Sequence, residues 1–311
     1  MADISAAMVK ELRSLTGAGV MACKNALVET DGDMDAAIEV LRKKGEATAV
    51  KKSGRIAAEG TSYAIVKGET KAVVLEVNSE TDFVAKNEKF KTFVANVADQ
   101  IIDSSATDVE GLLAEPWALD TSKTVKDELV SQIAVIGENM NIRRFAKIEA
   151  EDGIVASYIH MGGKIATLVY AQTDVVNDAV KTALYNVAMQ VCALNPKFVT
   201  DADVDEDYIA HEKEILLAQI QNDPKESQKP EKVIEGMIMG RIKKELKEVV
   251  LYDQAYFQAA DGKQTVAQYI DEVAKAEGAT IKVKQFVRFE TGEGLEKKEE
   301  DFAAEVAKQM Q

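Results

Sequence analysis

Cysteine is scarce in this sequence. Only Cys23 and Cys192 occur, far apart and without a Cys-x-x-Cys neighbour, which argues against both a disulfide framework and a zinc site. Free thiols in a reducing compartment are the expectation. Histidine is as rare, and His160 and His211 lie too far apart in sequence to form a histidine metal motif. Basic charge is in deficit: 38 Lys and Arg face 53 Asp and Glu, and a net charge of -15 opposes extended contact with a phosphate backbone. Nucleic acid is therefore not expected as a direct partner. No apolar run approaches the roughly 18 residues that span a bilayer, and the N-terminus lacks the charged, apolar and small-residue regions of a signal peptide. The chain is expected in the cytoplasm with no membrane partner.

Catalytic motifs are missing too. There is no Gly-x-x-x-x-Gly-Lys-Ser/Thr phosphate loop, no Gly-x-Ser-x-Gly elbow and no His-Glu-x-x-His pair. Gly162-Gly163-Lys164 reads as a hairpin turn, because the helix that must follow a phosphate loop is absent. Acidic pairs are too numerous for any one to mark a general acid and base. No active site and no cofactor are expected.

What is present is a folding sequence, 311 residues with 46% hydrophobic side chains, long enough for about two domains. Ile4, Met8, Leu12 and Leu15 recur at helical spacing, and Thr16-Gly17-Ala18-Gly19 stops that helix. A second helix starts near Val20 and ends at Asp31-Gly32; Asp33 then caps a third that carries Ala37, Ile38 and Leu41. Lys43, Lys44, Lys51, Lys52 and Arg55 form a basic exit, read as a solvated helix end or linker. From Gly60 the period drops to two: Tyr63 and Ile65, then Val73, Leu75 and Val77, flank a Lys67-Gly68-Glu69 turn. Helices follow at about Glu88 to Asp103 and Val125 to Ile136, then a strand at Asn141-Ile142-Arg143-Arg144-Phe145.

The same order recurs. Val155 to Ile159 and Ile165 to Tyr170 surround Gly162-Gly163, Thr173-Asp174 echoes Thr81-Asp82, a helix carries Val180, Leu184, Val187 and Val191, and Phe286-Val287-Arg288-Phe289 closes the second half. The expected fold is α+β: a duplicated core of two small antiparallel sheets covered by helices. Between about Asp205 and Val250 two apolar seams, Ile209-Leu216-Ile220 and Ile234-Ile238-Ile242-Leu246, are separated by Asp223-Pro224 to Pro230, which predicts an antiparallel helical hairpin. Its arms either cover one another or leave Met237 and Met239 for a partner, including a homodimer through the hairpin. An acidic segment, Glu290 to Asp301, leads to an amphipathic helix with Phe302, Ala303, Val306 and Met310.

Thr81-Asp82-Phe83-Val84-Ala85-Lys86-Asn87 is the distinctive segment. As a local structure it is a helix start, capped by Ser79 or Thr81, with Phe83 tucked into the core. It also resembles the signature of the elongation factor Ts family. Thr16-Gly17-Ala18-Gly19-Val20-Met21-Ala22-Cys23-Lys24-Asn25-Ala26-Leu27 resembles that family's N-terminal motif, and Ile136-Gly137-Glu138-Asn139-Met140-Asn141-Ile142-Arg143-Arg144 a third. Tyr158-Ile159-His160 with Gly162-Gly163-Lys164-Ile165 resembles a fourth, and Asp301-Phe302-Ala303-Ala304-Glu305-Val306-Ala307 fits the family's end.

The resemblance implies a ubiquitin-associated-like three-helix domain over residues 1–56, core halves at 57–150 and 151–290 with the hairpin inserted at 205–250, and a C-terminal helical module at 291–311. It implies a guanine-nucleotide exchange factor for elongation factor Tu, whose GDP, GTP and magnesium belong to the partner. In that reading Thr81, Asp82, Phe83 and Val84 work at the partner's magnesium site, Phe83 as an apolar wedge, while Val20, Met21, Lys24, Ile136, Gly137 and His160 make further contacts. Gln254-Ala255-Tyr256-Phe257 departs from the family's Pro-Phe-Val-like stretch, so no contact is carried over there. The competing class is an adaptor that binds proteins without changing a nucleotide equilibrium; an enzyme built on surface carboxylates ranks third, for want of a convergent base, nucleophile or metal cluster.

Overall fold

A computed structural model describes residues 4–296; the acidic segment beyond Glu296 and the expected terminal helix with Phe302 lie outside them. The chain opens with α1 (Ala6–Thr16), α2 (Val20–Glu29) and α3 (Met34–Lys52), which close over Leu12, Cys23, Ala26, Leu27 and Ala37. Ser5 and Asp33 cap α1 and α3 by accepting the Met8 and Ala36 amides at 3.2 and 2.9 Å. Gly17, at φ 65°, ends α1 in the left-handed region that glycine tolerates. The basic exit is not a linker up to Lys52. It is the second half of α3, with Lys51 and Lys52 in the last turn, where the helix dipole favours cations.

Two three-stranded antiparallel sheets follow. β1 (Glu59–Lys67), β2 (Lys71–Ser79) and β5 (Met140–Glu149) pair in the order β1-β2-β5; β6 (Gly153–His160), β7 (Ile165–Thr173) and β8 (Ile281–Glu290) pair as β6-β7-β8. Each middle strand bulges against its third strand, at Glu76/Val77 in one sheet and Tyr170/Ala171 in the other. At the matching point of each first strand sits a glycine. A Cβ on Gly60 would stand 2.2 Å from the Val77 carbonyl oxygen, and one on Gly153 2.0 Å from that of Ala171, so neither position admits a side chain.

The outer face of the first sheet, with Val73, Leu75 and Val77, is covered by α5 (Glu88–Asp103), α6 (Val109–Ala114) and α7 (Val125–Ile136). The outer face of the second, with Val169 and Ala171, is covered by α8 (Asp178–Leu194) and α11 (Val266–Glu277). Small and branched residues on the inner faces, Ala64, Ala72, Val74, Val155, Ala166 and Leu168, pack the two sheets against each other. β2 is therefore apolar on both sides, which accounts for its nearly unbroken hydrophobic run.

The sequence expectation of two sheets needs correction. A third, two-stranded sheet joins β3 (Pro116–Trp117) to β4 (Asp120–Thr124) between α6 and α7. The echo at Thr173-Asp174 is also incomplete: β7 ends there, but no counterpart of the four-residue helix after β2 precedes α8. Instead the Asp174 carboxylate accepts the Thr280 amide at 2.7 Å.

Between α8 and α11 the chain runs out along α9 (Glu206–Asn222) and back along α10 (Glu231–Val249). Ile220, Ile238 and Ile242 are buried between them, with Ile209, Leu216, Ile234, Met237 and Leu246 packed alongside. Met237 thus faces the partner helix, while Met239 is exposed. At the base the Lys197 and Phe198 amides donate to the Val249 carbonyl.

One buried carboxylate ties the two sheets together. Glu76, fully inaccessible on β2, accepts from Arg143 at 3.0 Å, Arg144 at 2.6 Å, Asn78 at 3.0 Å and the Gly292 amide at 2.7 Å. Gly292 follows β8 of the other sheet. The same arginines donate to the Glu293 and Glu290 carbonyls there, at 2.6 and 3.2 Å. Burial alone pushes the Glu76 carboxyl up, but the bonds from Gly292, Asn78, Arg143 and Arg144 outweigh it and hold it below its ordinary 4.5. A depressed folded value stabilises the fold above the ordinary value, and that contribution is lost as pH falls through the depressed one. Glu76→Ala, which leaves two half-buried guanidinium groups without their counter-ion, is expected to cost about 3–5 kcal/mol in denaturant unfolding. A loss under about 1 kcal/mol would contradict this role. Glu76→Gln is expected to flatten the acid limb of the stability profile below 4.5.

Candidate protein-binding site

β2 leaves the core at Ser79, and Thr81 begins α4 (Asp82–Ala85) by accepting the Val84 amide on its hydroxyl at 3.4 Å. Thr81, not Ser79, is the cap. Successive residues of a helical turn point about 100° apart. Val84 turns inward and is buried, so Phe83 must turn outward, and it is 80% exposed. The purely local reading, with Phe83 tucked into the core, fails for this reason. Val84, expected with Phe83 on the contact surface, is instead a support beneath it. Leaving a phenylalanine in water forgoes about 1.5–3 kcal/mol of burial, and this ring is the most exposed large apolar side chain among the described residues.

Asp82 beside it pairs with Lys86 at 2.6 Å across one turn. That hydrogen bond, against slight burial and with the charges of Lys86 and Lys164, holds the Asp82 carboxyl below its ordinary value. The side chain is ionised at neutral pH and lies at the surface.

Two stretches that are remote in sequence meet under this turn. The Glu138 carboxylate accepts from the Thr81 amide at 3.0 Å and the Thr81 hydroxyl at 2.7 Å. The Asn139 amide donates to Glu80 at 2.6 Å, the Asn139 side chain donates to the Arg55 carbonyl at 2.8 Å, and Arg55 pairs with Glu80 at 3.3 Å. The Lys52 ammonium donates to the Gly137 carbonyl. Gly137 ends α7 at φ 88° with open space around it, so backbone geometry, not crowding, requires glycine there. Ile136 is half-buried and Gly137 exposed.

The other expected residues lie around the same end of the first sheet. Val20, Met21 and Lys24 are exposed on α2. The turn before them touches α7, where a Cβ on Gly17 would meet Val135 at 3.7 Å. His160 ends β6, half-buried, with its Nδ1 2.9 Å from the Tyr158 hydroxyl. The turn after it crosses onto β1, where the Gly163 carbonyl accepts the Ser62 amide at 2.7 Å, and Lys164 lies close enough for its charge to act on Asp82. Two residues escaped the sequence reading. Glu138 sits inside a quoted motif, but its bond to Thr81 spans two separated segments. Met161, 74% exposed at φ 47°, is an apolar side chain held out by a turn that would suit glycine.

A crevice of about 1210 Å³ separates the N-terminal helices from α5 and α7, lined among others by Ala18, Ala22, Arg42, Phe93 and Asp127. In its lining the Ser122 hydroxyl donates to the Asp120 carboxylate at 2.6 Å. Among the described residues no three His, Cys, Asp or Glu side chains are placed to hold a metal ion.

Exposed apolar and charged side chains held on rigid turns form a surface suited to binding another protein. The family model described as "Elongation factor TS" matches residues 80–293. The chain is 49% identical over 308 residues to elongation factor Ts of Clostridium botulinum (strain Eklund 17B / Type B), covering 99% of each chain. It is 48% identical over 309 residues to that of Clostridium tetani, covering 99% of this chain and 100% of the relative. Against that of Trichlorobacter lovleyi it is 49% identical, covering 98% and 97%. The chain belongs to the elongation factor Ts family, whose members are non-catalytic exchange factors.

Lys86→Met is expected to raise the Asp82 carboxyl toward its ordinary value, read by NMR titration of the side-chain carbon. An unmoved titration would mean that the ion pair does not exist in solution.

Proposed function

We propose that this chain releases GDP from elongation factor Tu by pressing the Asp82–Phe83 turn against the partner's magnesium and phosphate site. Nucleotide exchange on elongation factor Tu during translation elongation, in the cytoplasm, is the function of the family to which the chain belongs. The residue assignment is our reading, and the observation that carries it is the 80% exposure of Phe83 on a turn fixed from below by Val84 and Glu138.

Phe83 gains burial by entering an apolar pocket of the partner. Asp82 brings a fixed negative charge to groups that hold a magnesium ion through oxygen ligands, and competes with them. Nucleotide and metal stay with the partner, so this chain needs no cofactor. Linkage then fixes the cycle: if the factor weakens GDP by a given coupling energy, GDP weakens the factor equally, and incoming GTP helps displace it. Val20, Met21 and Lys24 on α2, with Ile136, Gly137 and His160, are assigned to the rim of the same contact, supported by their position around one end of the first sheet.

The finer architecture belongs to the same reading: residues 1–56 as a ubiquitin-associated-like docking unit, 57–150 and 151–290 as two copies of one α+β unit, and 291–311 as a C-terminal module. The matched bulges and glycines of the two sheets support the duplication. A homodimer through the hairpin would use Ile215, Leu217, Val233 and Met239, the apolar residues its own seam leaves exposed. Sedimentation equilibrium tests this: a monomer at every concentration reached would end it, and a dimer abolished by Met239→Glu would support it.

Phe83→Ala is expected to leave thermal unfolding of the free protein within about 0.5 kcal/mol of the parent, because the ring is exposed. The same variant is expected to slow stimulated release of fluorescent GDP by roughly ten- to a hundredfold, the equivalent of the lost burial. A folded variant that exchanges at the parent rate would refute the wedge.

A further inference from the structure

We infer that Glu138 is the positioning residue of the exchange turn: it holds Thr81 by two bonds and thereby fixes the direction in which Phe83 projects. The inference rests on the assignment of Phe83 as the wedge and adds to it a residue that touches neither partner nor nucleotide.

A four-residue helix is too short to hold itself, since fixing its first turn costs more conformational entropy than its few hydrogen bonds return. α4 has one buried side chain of its own, Val84, and carries a large ring facing water. Something outside the turn must therefore set its orientation. Glu138 meets that need with both oxygens: one accepts the Thr81 amide at 3.0 Å and the other its hydroxyl at 2.7 Å, so the residue before Asp82 is held at its backbone and its side chain together. Bonds to a charged acceptor are the stronger class, and two on one residue remove its rotational freedom. The Thr81 hydroxyl donates to Glu138 and accepts from the Val84 amide at 3.4 Å, so the restraint passes into the first turn of α4.

Glu138 is in turn held firmly. It follows Gly137, the left-handed end of α7 that Lys52 binds from α3, and precedes Asn139, which binds Glu80 and Arg55. The carboxylate is only partly exposed, and no cation pairs with it among the described salt bridges. Among the described residues both of its acceptors are directed at Thr81. Rigid presentation matters energetically because a wedge that swings freely must be ordered on binding, which subtracts from the work it can do on the partner.

The test is a double-mutant cycle on stimulated GDP release, using the full chain with elongation factor Tu. Glu138→Ala is expected to slow release by about tenfold, the scale of losing hydrogen bonds to a charged group. Glu138→Gln, with one acceptor left, should fall between the two. In a Phe83→Ala background Glu138→Ala should cost clearly less than it does in the parent, because the ring it aims is gone and only Asp82 remains on the turn to be misplaced. Hydrogen exchange of the free protein supplies the structural readout: Glu138→Ala should deprotect the Thr81 and Val84 amides while leaving α5 and α7 protected. Thr81→Val, which removes the hydroxyl that bridges Glu138 and the Val84 amide, should likewise slow release and deprotect the Val84 amide.

Three results would overturn the inference. Parent-rate exchange by a folded Glu138→Ala is one, and an equal loss in both backgrounds, which would place Glu138 in a separate contact, is another. Deprotection spread across α5 and α7 would reduce it to a general structural residue. If Phe83→Ala alone exchanges normally, the wedge assignment fails first and this inference with it, an outcome distinct from the other three.

Discussion

A carboxylate with no access to water sets the shape of this protein. Glu76 lies at the bulge of β2, where the strand leaves regular register, and it draws Arg143 and Arg144 from β5 and the Gly292 amide from beyond β8 onto one point. The apolar stacking of Ala64, Ala72, Ala166 and Leu168 is non-directional and would tolerate sliding of one sheet over the other. Hydrogen bonds to Glu76 do not. The carboxylate therefore selects one sheet-to-sheet arrangement among several that the small inner residues would accept, and so fixes the β6–β7 turn relative to β1. Thr291 reinforces the same junction, with its hydroxyl 2.9 Å from that of Ser62 and 2.9 Å from the Gly163 carbonyl.

How far the sequence carried depended on the range of each signal. Strong local periodicity was legible: α5 at Glu88–Asp103 and α7 at Val125–Ile136 occur about where Phe90, Val94, Val97, Ile101 and the neighbouring stripe require. The two seams of the helical hairpin were equally plain, since Pro224 and Pro230 bound its turn. Short elements carried too little pattern. Pro116–Trp117 is a two-residue strand without a period, and its partner, with Asp120, Ser122 and Lys123, reads as loop. The helix α11 was passed over despite a usable mark, the Thr265–Gln268 capping box ahead of Val266 and Ile270.

The motifs were legible in the sequence, but the mutual arrangement of their residues was not. The outward turn of Phe83 depends on Val84 facing in, which a four-residue helix does not announce. Glu138 and Thr81 meet across more than fifty intervening residues, beyond any spacing rule. A glutamate within Val73-Val74-Leu75-Glu76-Val77 looks like the polar side of a strand; its complete burial follows from two arginines on another strand and an amide after a third. Long-range polar pairing is the kind of structure that periodicity cannot encode, because its partners obey no period.

The arm formed by α9 and α10 is a separable lever. Its seam of Ile220, Ile238 and Ile242 closes on itself, and it rejoins the body where Lys197 and Phe198 meet Val249. With a rise of about 1.5 Å per residue, seventeen residues of α9 extend roughly 26 Å. Because none of the hydrogen bonds described for α4 reaches that arm, whole helical turns could be added or removed in pairs without disturbing Phe83. Reach and chemistry are thus free to diverge along separate evolutionary paths within one chain.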